Sequence, residues 1–423
     1  MYLFFIRAFN DVDHLTPIVW KMSADNYPVA IYCVNPEYDI QNDYRLDFLK
    51  ELGVKVDYIY NDFDRDLGLL HRVMRFLFQR SYALQRGSDV NSRSSFPILS
   101  SNLRRLARTT GTLFYELARR GFYDLRWARK ILEHTGAQAL CFDWVIPERY
   151  VVEVLLEAAK EMSIPTLALP HGVHVYTNEL AKNDLPEDRV REKYSRYDRV
   201  VVQNSLAMEF MSESGVESEK VLVLGSARYC DEWMEKSKEI LPRVMNSKDE
   251  NTDELKVVFM TTRPRYRVDA ERMLRTFRML SNLDGVEVLV KPHTRTGKDA
   301  GIYRDLPLSN VADISSVELC EWADVMLVIG SSIIIETLKQ GKPTLYLKYL
   351  HENTTEYEEF GACWIIHDET ELQDAVRSLQ GAKRKVPYED EDVERWLSEI
   401  IYGGRSERDV LKDYEEFIVN CAN

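Results

Sequence analysis

The chain has 423 residues, more than one ordinary domain holds and enough for two of roughly 200 residues each. Hydrophobic residues make up 45%, which excludes wholesale disorder, and a formal net charge of -14 excludes a general nucleic-acid binder. The six cysteines (Cys33, Cys141, Cys230, Cys320, Cys363, Cys421) are scattered and form no CxxC pair, so neither a disulfide framework nor a zinc site is indicated and the compartment reads as reducing and cytoplasmic.

The opening MYLFFIRAFN lacks a basic region and leads straight into a turn, which suits a first strand, Tyr2–Ile6, better than a signal peptide. No run reaches the length needed to cross a bilayer, so the sequence reads as a soluble protein with peripheral membrane contact left open. The loop RAFNDVDHL then carries Arg7, Asn10, Asp11, Asp13 and His14. A helix over about Leu15–Ser23, a strand at Val29–Val34, a helix at Tyr44–Leu52 and a strand at Val54–Tyr60 follow. That alternation predicts a parallel, doubly wound sheet, in which ligands collect where strands end. Arg7, Asn10, Asp11 and His14 are therefore acceptor-side candidates.

Residues 64–136 break the rhythm. They are helical in pattern and rich in arginine from Arg72 to Arg129, with a loop at Ser88–Pro97. In an acidic chain this insert reads either as a solvated excursion or as a docking surface for an anionic acceptor or anionic lipid headgroups. The sheet resumes at Ala137–Trp144, then helix Arg149–Met162 and strand Pro165–Leu169. Asp143 and Glu148 end one of these strands, and PHGVHVYTNEL (Pro170–Leu180), with His171, His174 and Glu179, follows the other. His171 is the candidate base, because a histidine titrates near neutrality and Gly172 lets backbone approach a ligand; the alternative is a turn histidine capping carbonyls. His171 and His174 lack an obvious third ligand, so no metal is expected. Strand Arg199–Gln203, helix Ser205–Ser214, strand Lys220–Leu224 with Gly225 and Ser226 after it, and a helix from Asp231 complete a first domain of residues 1–245.

A polar linker at residues 246–254 precedes a second Rossmann-like domain at 255–404, and a last helix within 405–423 is expected to fold back on the first. Its strands Leu255–Met260 and Val286–Val290 end in TTRPRYR and KPHTRTGK, with Arg263, Arg265, Arg267, Lys291, His293 and Arg295. A short helix near Val317–Ala323 leads into DVMLVIGSSIIIETLKQGKPTLYLKY (Asp324–Tyr349). This reads as a buried strand, a Gly330-Ser331-Ser332 turn, a helix opening at Ser331 and a second strand. Ser331 and Ser332 offer hydroxyls beside a helix start that attracts anions, and Glu336 one turn on suits ribose hydroxyls. Such cationic and hydroxyl donors along one sheet edge predict a phosphorylated ligand, a diphosphate or a nucleoside monophosphate. Neither GxGxxG nor GxxxxGK[ST] stands at a strand–helix junction.

PHG, LGSARY (Leu224–Tyr229), KPH and GSSxxxE with GKP together resemble the two-domain GT-B glycosyltransferases that build bacterial surface polysaccharides, near the CDP-glycerol glycerophosphotransferase, polysialyltransferase and capsule Kdo-transferase group. That resemblance implies His171 as base, and Lys291, His293, Ser331 and Ser332 at the donor phosphate with Glu336 at the ribose. Gly225 and Ser226 fall to the donor as well. Lys291-Pro292-His293-Thr294 carries Thr where the family has proline, and Pro170 replaces a tryptophan. The expected architecture is two Rossmann-like doubly wound domains facing across a cleft. The expected reaction is inverting, metal-independent and cofactor-free, moving a sugar or polyol phosphate from a CMP-, CDP- or UDP-type donor to a polysaccharide or lipid-linked hydroxyl. Two alternatives remain: a UDP-N-acetylhexosamine 2-epimerase using Asp143 and Glu148, and a non-catalytic nucleotide-sensing scaffold.

Overall fold

A computed structural model of the chain describes residues 1–61, 123–144, 150–173, 175–177, 194–245, 253–262, 267–293, 309–381 and 385–423. The arginine-rich expectation up to residue 122, the linker residues 246–252, and Glu148, His174, Glu179, Arg263, Arg265 and Arg295 lie outside them. The chain divides into two compact units. One comprises Met1–Gly172, Leu185–Ile240 and Ile401–Asn423, and the other Val173–Asp184 and Leu241–Ile400.

In the first unit the described strands are β1 (Tyr2–Ile6), β2 (Val29–Cys33), β3 (Lys55–Tyr58), β4 (Ala139–Asp143), β5 (Thr166–Leu169), β6 (Arg199–Val202) and β7 (Val221–Val223). All pair in parallel, in the order β3-β2-β1-β4-β5-β6-β7. Helices α1 (Phe9–Ala24), α2 (Tyr44–Glu51), α3 (Leu125–Thr135), α4 (Val152–Glu161), α5 (Ser205–Glu213) and α6 (Asp231–Ile240) connect them. The β1 run YLFFI is buried at every residue, as a strand covered on both faces requires, and the Phe5 and Phe142 rings stack with centroids 4.5 Å apart. Helix α3 shows how local residues set an element's limits. Asp124 accepts the Trp127 N–H at 2.9 Å at its start, and Gly136, at φ +58°, ends it in the left-handed conformation glycine favours.

The stretch expected as a loop after β1 is instead the start of α1, six residues earlier than the apolar pattern suggested. Asp11, in the first turn, supplies the reason. Its Oδ2 accepts the backbone N–H groups of Arg7 (2.7 Å) and Ala8 (3.0 Å), the orphan donors of the helix start.

In the second unit β8 (Leu255–Met260), β9 (Val286–Lys291), β10 (Ser309–Asn310), β11 (Val325–Val328), β12 (Thr344–Leu347) and β13 (Trp364–Ile366) form a parallel sheet in the order β10-β9-β8-β11-β12-β13. Its helices are α7 (Ala270–Ser281), α8 (Ser316–Trp322), α9 (Ile334–Lys339), α10 (Glu356–Glu359), α11 (Glu369–Gly381) and α12 (Asp390–Tyr402). Helix α12 returns the chain to the first unit, where α13 (Val410–Ala422) packs on α1. Strand order reverses between β1 and β4 in one sheet and between β8 and β11 in the other. Just beyond the carboxyl ends of such neighbours, diverging connections leave room for a ligand.

Candidate active site

In the first unit the reversal point is occupied. Arg7 follows β1, Asp143 ends β4 and His171 lies two residues beyond β5. The Arg7 guanidinium donates to one oxygen of Asp143, Oδ2, from Nε (2.9 Å) and Nη2 (2.6 Å). The His171 Nδ1 stands 2.6 Å from Asp11 Oδ1 and 3.1 Å from Asp143 Oδ2. Both carboxylates are thus within hydrogen-bonding reach of the same ring nitrogen, Asp11 the nearer. Asp11 is 0% and Asp143 1% exposed, while the His171 side chain keeps 25% of its surface. Because Nδ1 itself is buried, that exposure belongs to the rest of the ring.

Burial costs a lone carboxylate heavily, so the cluster is stable only as a set. Burial alone would raise the Asp143 carboxyl, but Arg7 and His171 overcome it and hold it below the ordinary carboxylate range. Asp11 is pushed up, by burial first and by the charge of Asp143 second, partly offset by His171 and Arg7. Burial would lower His171, yet Asp11 and then Asp143 outweigh it and raise the imidazole above its usual value. These three carboxylate and imidazole side chains have the proximity a cation needs. The Arg7 guanidinium already sits on Asp143 Oδ2, however, and would oppose a metal there.

His14, also expected on the acceptor side, is buried and held well below its usual value by burial and by Arg228, His171 and Arg45. It is a neutral wall of the cluster. Asn10, in the first turn of α1, makes no hydrogen bond or ion pair with these groups among the described residues. Sequence reasoning overlooked the adjoining network in which buried Arg45 holds Asp13 and Asp43, and Arg228 meets Asp13 at 2.9 Å. The Arg45 guanidinium also lies over the Phe9 ring, 4.0 Å from its centroid. These residues come from three separate connections, and nothing in their spacing joins them.

Gly225 and Ser226, expected at the donor, have another role. Gly225 has φ +82° and a Cβ there would lie 2.3 Å from the Ile401 carbonyl oxygen, which accepts the Ser226 N–H at 2.7 Å. Tyr414 donates its hydroxyl to the Gly225 carbonyl at 2.9 Å. The pair is buried beneath the returning carboxyl-terminal segment, with no surface for a ligand.

In the second unit the Gly330–Ser332 turn does follow β11 at the reversal point. The helix opens at Ile334 rather than Ser331, because Gly330, at φ +55°, first turns the chain. The Ser331 Oγ accepts the Ile333 N–H at 3.4 Å. Tyr176, absent from the sequence-derived candidates, donates its hydroxyl to the Gly330 carbonyl at 2.7 Å. Glu336, expected at a ribose, is 4% exposed and accepts from Gln340 Nε2 at 3.3 Å. Lys291 is buried, its ammonium donating to the carbonyls of Ala312 and Ile314 at 2.5 Å each, and burial lowers its proton affinity. It ties the segment after β10 to β9, so a phosphate would have to compete for it. His293 is half-buried, its N–H donating to Thr261 Oγ1 at 3.2 Å.

Two all-parallel α/β units, each with polar groups gathered where strand order reverses, define a GT-B-like architecture. Solved structures with that architecture match nearly the whole chain. S. aureus MnaA with UDP is 12% identical, with 99% of this chain and 95% of that one covered and a TM-score of 0.54. UDP-GlcNAc 2-epimerase from Neisseria meningitidis bound to UDP-GlcNAc is 12% identical, with 99% of each chain covered and a TM-score of 0.54. The glycotransferase of kitacinnamycin is 12% identical, with 98% and 97% covered and a TM-score of 0.51. The likeness is one of fold. No family model matches the sequence, and no curated protein does so.

Proposed function

We propose that the protein is an enzyme acting on a nucleotide-activated sugar, with His171 as the group that moves the proton. In this reading the reaction is metal-independent, inverting transfer of the sugar, or of a polyol phosphate, to a hydroxyl of a polysaccharide or lipid-linked acceptor. The observation that carries it is the His171 ring held against buried Asp11 and Asp143. A carboxylate on Nδ1 keeps that nitrogen protonated, which leaves Nε2 as the lone pair that takes a proton from an attacking hydroxyl. The positive charge that the ring gains is matched by carboxylates already in place, so no reorganisation is required as the proton moves. The second unit is the donor half of this reading, with Ser331, Ser332, His293 and Glu336 as its candidate residues. CMP, CDP and UDP are the candidate nucleotides.

A second reading, UDP-N-acetylhexosamine 2-epimerase, is favoured by the solved structures, several of which are named UDP-GlcNAc 2-epimerase. Epimerisation at C2 needs a proton removed from one face of the sugar and returned to the other. The Asp11, Asp143 and His171 polar atoms lie within 4.8 Å of one another, which in this reading makes them one proton-handling group. A second such group would have to come from elsewhere.

The two separate on one assay. The protein is incubated with UDP-GlcNAc alone, and with each nucleotide sugar plus an oligosaccharide or lipid-linked acceptor. Acceptor-dependent release of nucleotide supports transfer. Free UDP with an epimerised sugar and no acceptor supports epimerisation. His171→Asn should lower kcat by about 10²–10⁴-fold, the usual contribution of a positioned acid or base. Full activity in that variant removes His171 from the mechanism, and chelator treatment should change nothing.

A further inference from the structure

We infer that Asp11 is the positioning residue for His171, and that the start of helix α1 is thereby part of the machinery that sets the base. This rests on the reading of His171 given above. Three observations lead to it. The Asp11 carboxylate is fixed on one side, its Oδ2 accepting the N–H groups of Arg7 and Ala8. The other oxygen, Oδ1, is fully buried and lies 2.6 Å from His171 Nδ1, with no second donor among the described residues competing for it. Asp143 is the more distant of the two carboxylates, at 3.1 Å, and the oxygen that faces the ring already takes two N–H groups from Arg7. Division of labour follows. Arg7 neutralises Asp143, and Asp11 keeps its free oxygen for the imidazole.

The distance requires a proton between the two groups. Two lone pairs cannot face each other across 2.6 Å, so a proton lies between Asp11 Oδ1 and His171 Nδ1; carried on Nδ1, it leaves the neutral ring its lone pair on Nε2. When Nε2 takes the acceptor's hydroxyl proton, Nδ1–H stays in place, the ring gains one positive charge and Asp11 remains a carboxylate. The charged or titratable groups facing the ring are Arg7 after β1, Asp11 and His14 on α1, and Asp143 on β4. Of these only Asp11 is both in closest contact and held rigidly by backbone.

Asp11→Asn tests this without removing the helix start, because the amide oxygen still accepts the Arg7 and Ala8 N–H groups. Its NH₂ then faces Nδ1 and forces the ring into the tautomer with hydrogen on Nε2, where it cannot act as a base. The expected result is a loss of about 10³–10⁴-fold in kcat with KM nearly unchanged. Nitrogen NMR of the labelled ring in the full chain reads the same switch directly. Wild type and Asp143→Asn should show Nδ1–H, and Asp11→Asn should show Nε2–H with a lower imidazole pKa. If Asp11→Asn fails to fold, the Asp143→Asn spectrum alone decides. Retention of Nδ1–H there supports Asp11 as the partner, and its loss assigns the role to Asp143 and overturns the inference. An unchanged tautomer in folded Asp11→Asn overturns it too. The spectra are independent of turnover, so a protein inactive on every nucleotide sugar refutes the catalytic reading while the pairing is still measured.

Discussion

An imidazole beside two buried carboxylates gives up its proton reluctantly, and the direction of that effect has consequences in both activity and stability. His171 is raised above its ordinary value by Asp11 first and Asp143 second. A base must be unprotonated, so kcat/KM should climb with pH through an inflection above about 6.5, the unperturbed histidine value. A profile that instead falls over that range would assign His171 the role of an acid. For stability the sign runs the other way. A folded pKa above the unfolded one contributes fully below the unfolded value, and the contribution is lost as pH rises through the folded one. The Tm difference between wild type and His171→Gln should therefore shrink from pH 6 upward. Glu356 in the second unit offers an independent case, pushed up to about 8 by burial and the charge of Glu399. It holds its proton while the unfolded chain has released it, so stability falls as pH rises from about 4.3 toward 8. Glu356→Gln should flatten that slope in thermal melts.

The glycine turns show what a connection between elements demands. Gly136 and Gly225 both have positive φ, but an added Cβ would meet nothing within 4 Å at Gly136, and at Gly225 it would lie 2.3 Å from the Ile401 carbonyl. Gly136→Ala should cost only the backbone term, about 1 kcal/mol. Gly225→Ala must also displace rigid backbone, and its Tm should drop by clearly more. Equal losses would mean that the carboxyl-terminal segment yields easily. Gly330 lies between the two, because the atoms in its way belong to the Tyr176 side chain, which can turn aside. Gly330→Ala should be milder than Gly225→Ala, and it should free the Gly330 carbonyl from its Tyr176 partner.

Across the two units the chain is not laid out as two consecutive halves. Residues Ile401–Asn423 belong to the first unit, where Tyr414 bonds the Gly225 carbonyl and Arg408 Nη1 the Val223 carbonyl at 3.0 Å. Truncation after Ile400 leaves the second unit whole and strips the first of α13. In limited proteolysis the fragment surviving that truncation should derive from the second unit. Survival of an intact first unit would show that α13 is dispensable. No described helix is long and apolar enough to cross a membrane. A thermal-shift series with CMP, CDP, UDP and GDP tests the donor reading, since a nucleotide at 100 times its Kd stabilises the folded state by about 2.7 kcal/mol.

Two parallel α/β units were legible in the residue order alone, because each buried strand is a short continuous apolar run and each helix between them repeats at its own period. The place of His171 just beyond a strand's end was legible too, from the histidine and glycine that follow an apolar run. The Ser331 helix start and the donor role of Gly225 and Ser226 were misjudged, since the dihedral angle of one glycine and the return of a distant segment decide them. Asp11 was visible as a polar residue but not as the partner of His171, 160 positions away. Local pattern reports which face of an element is apolar. Which charges share one buried point depends on strand order, and only the folded sheet brings β1, β4 and β5 side by side.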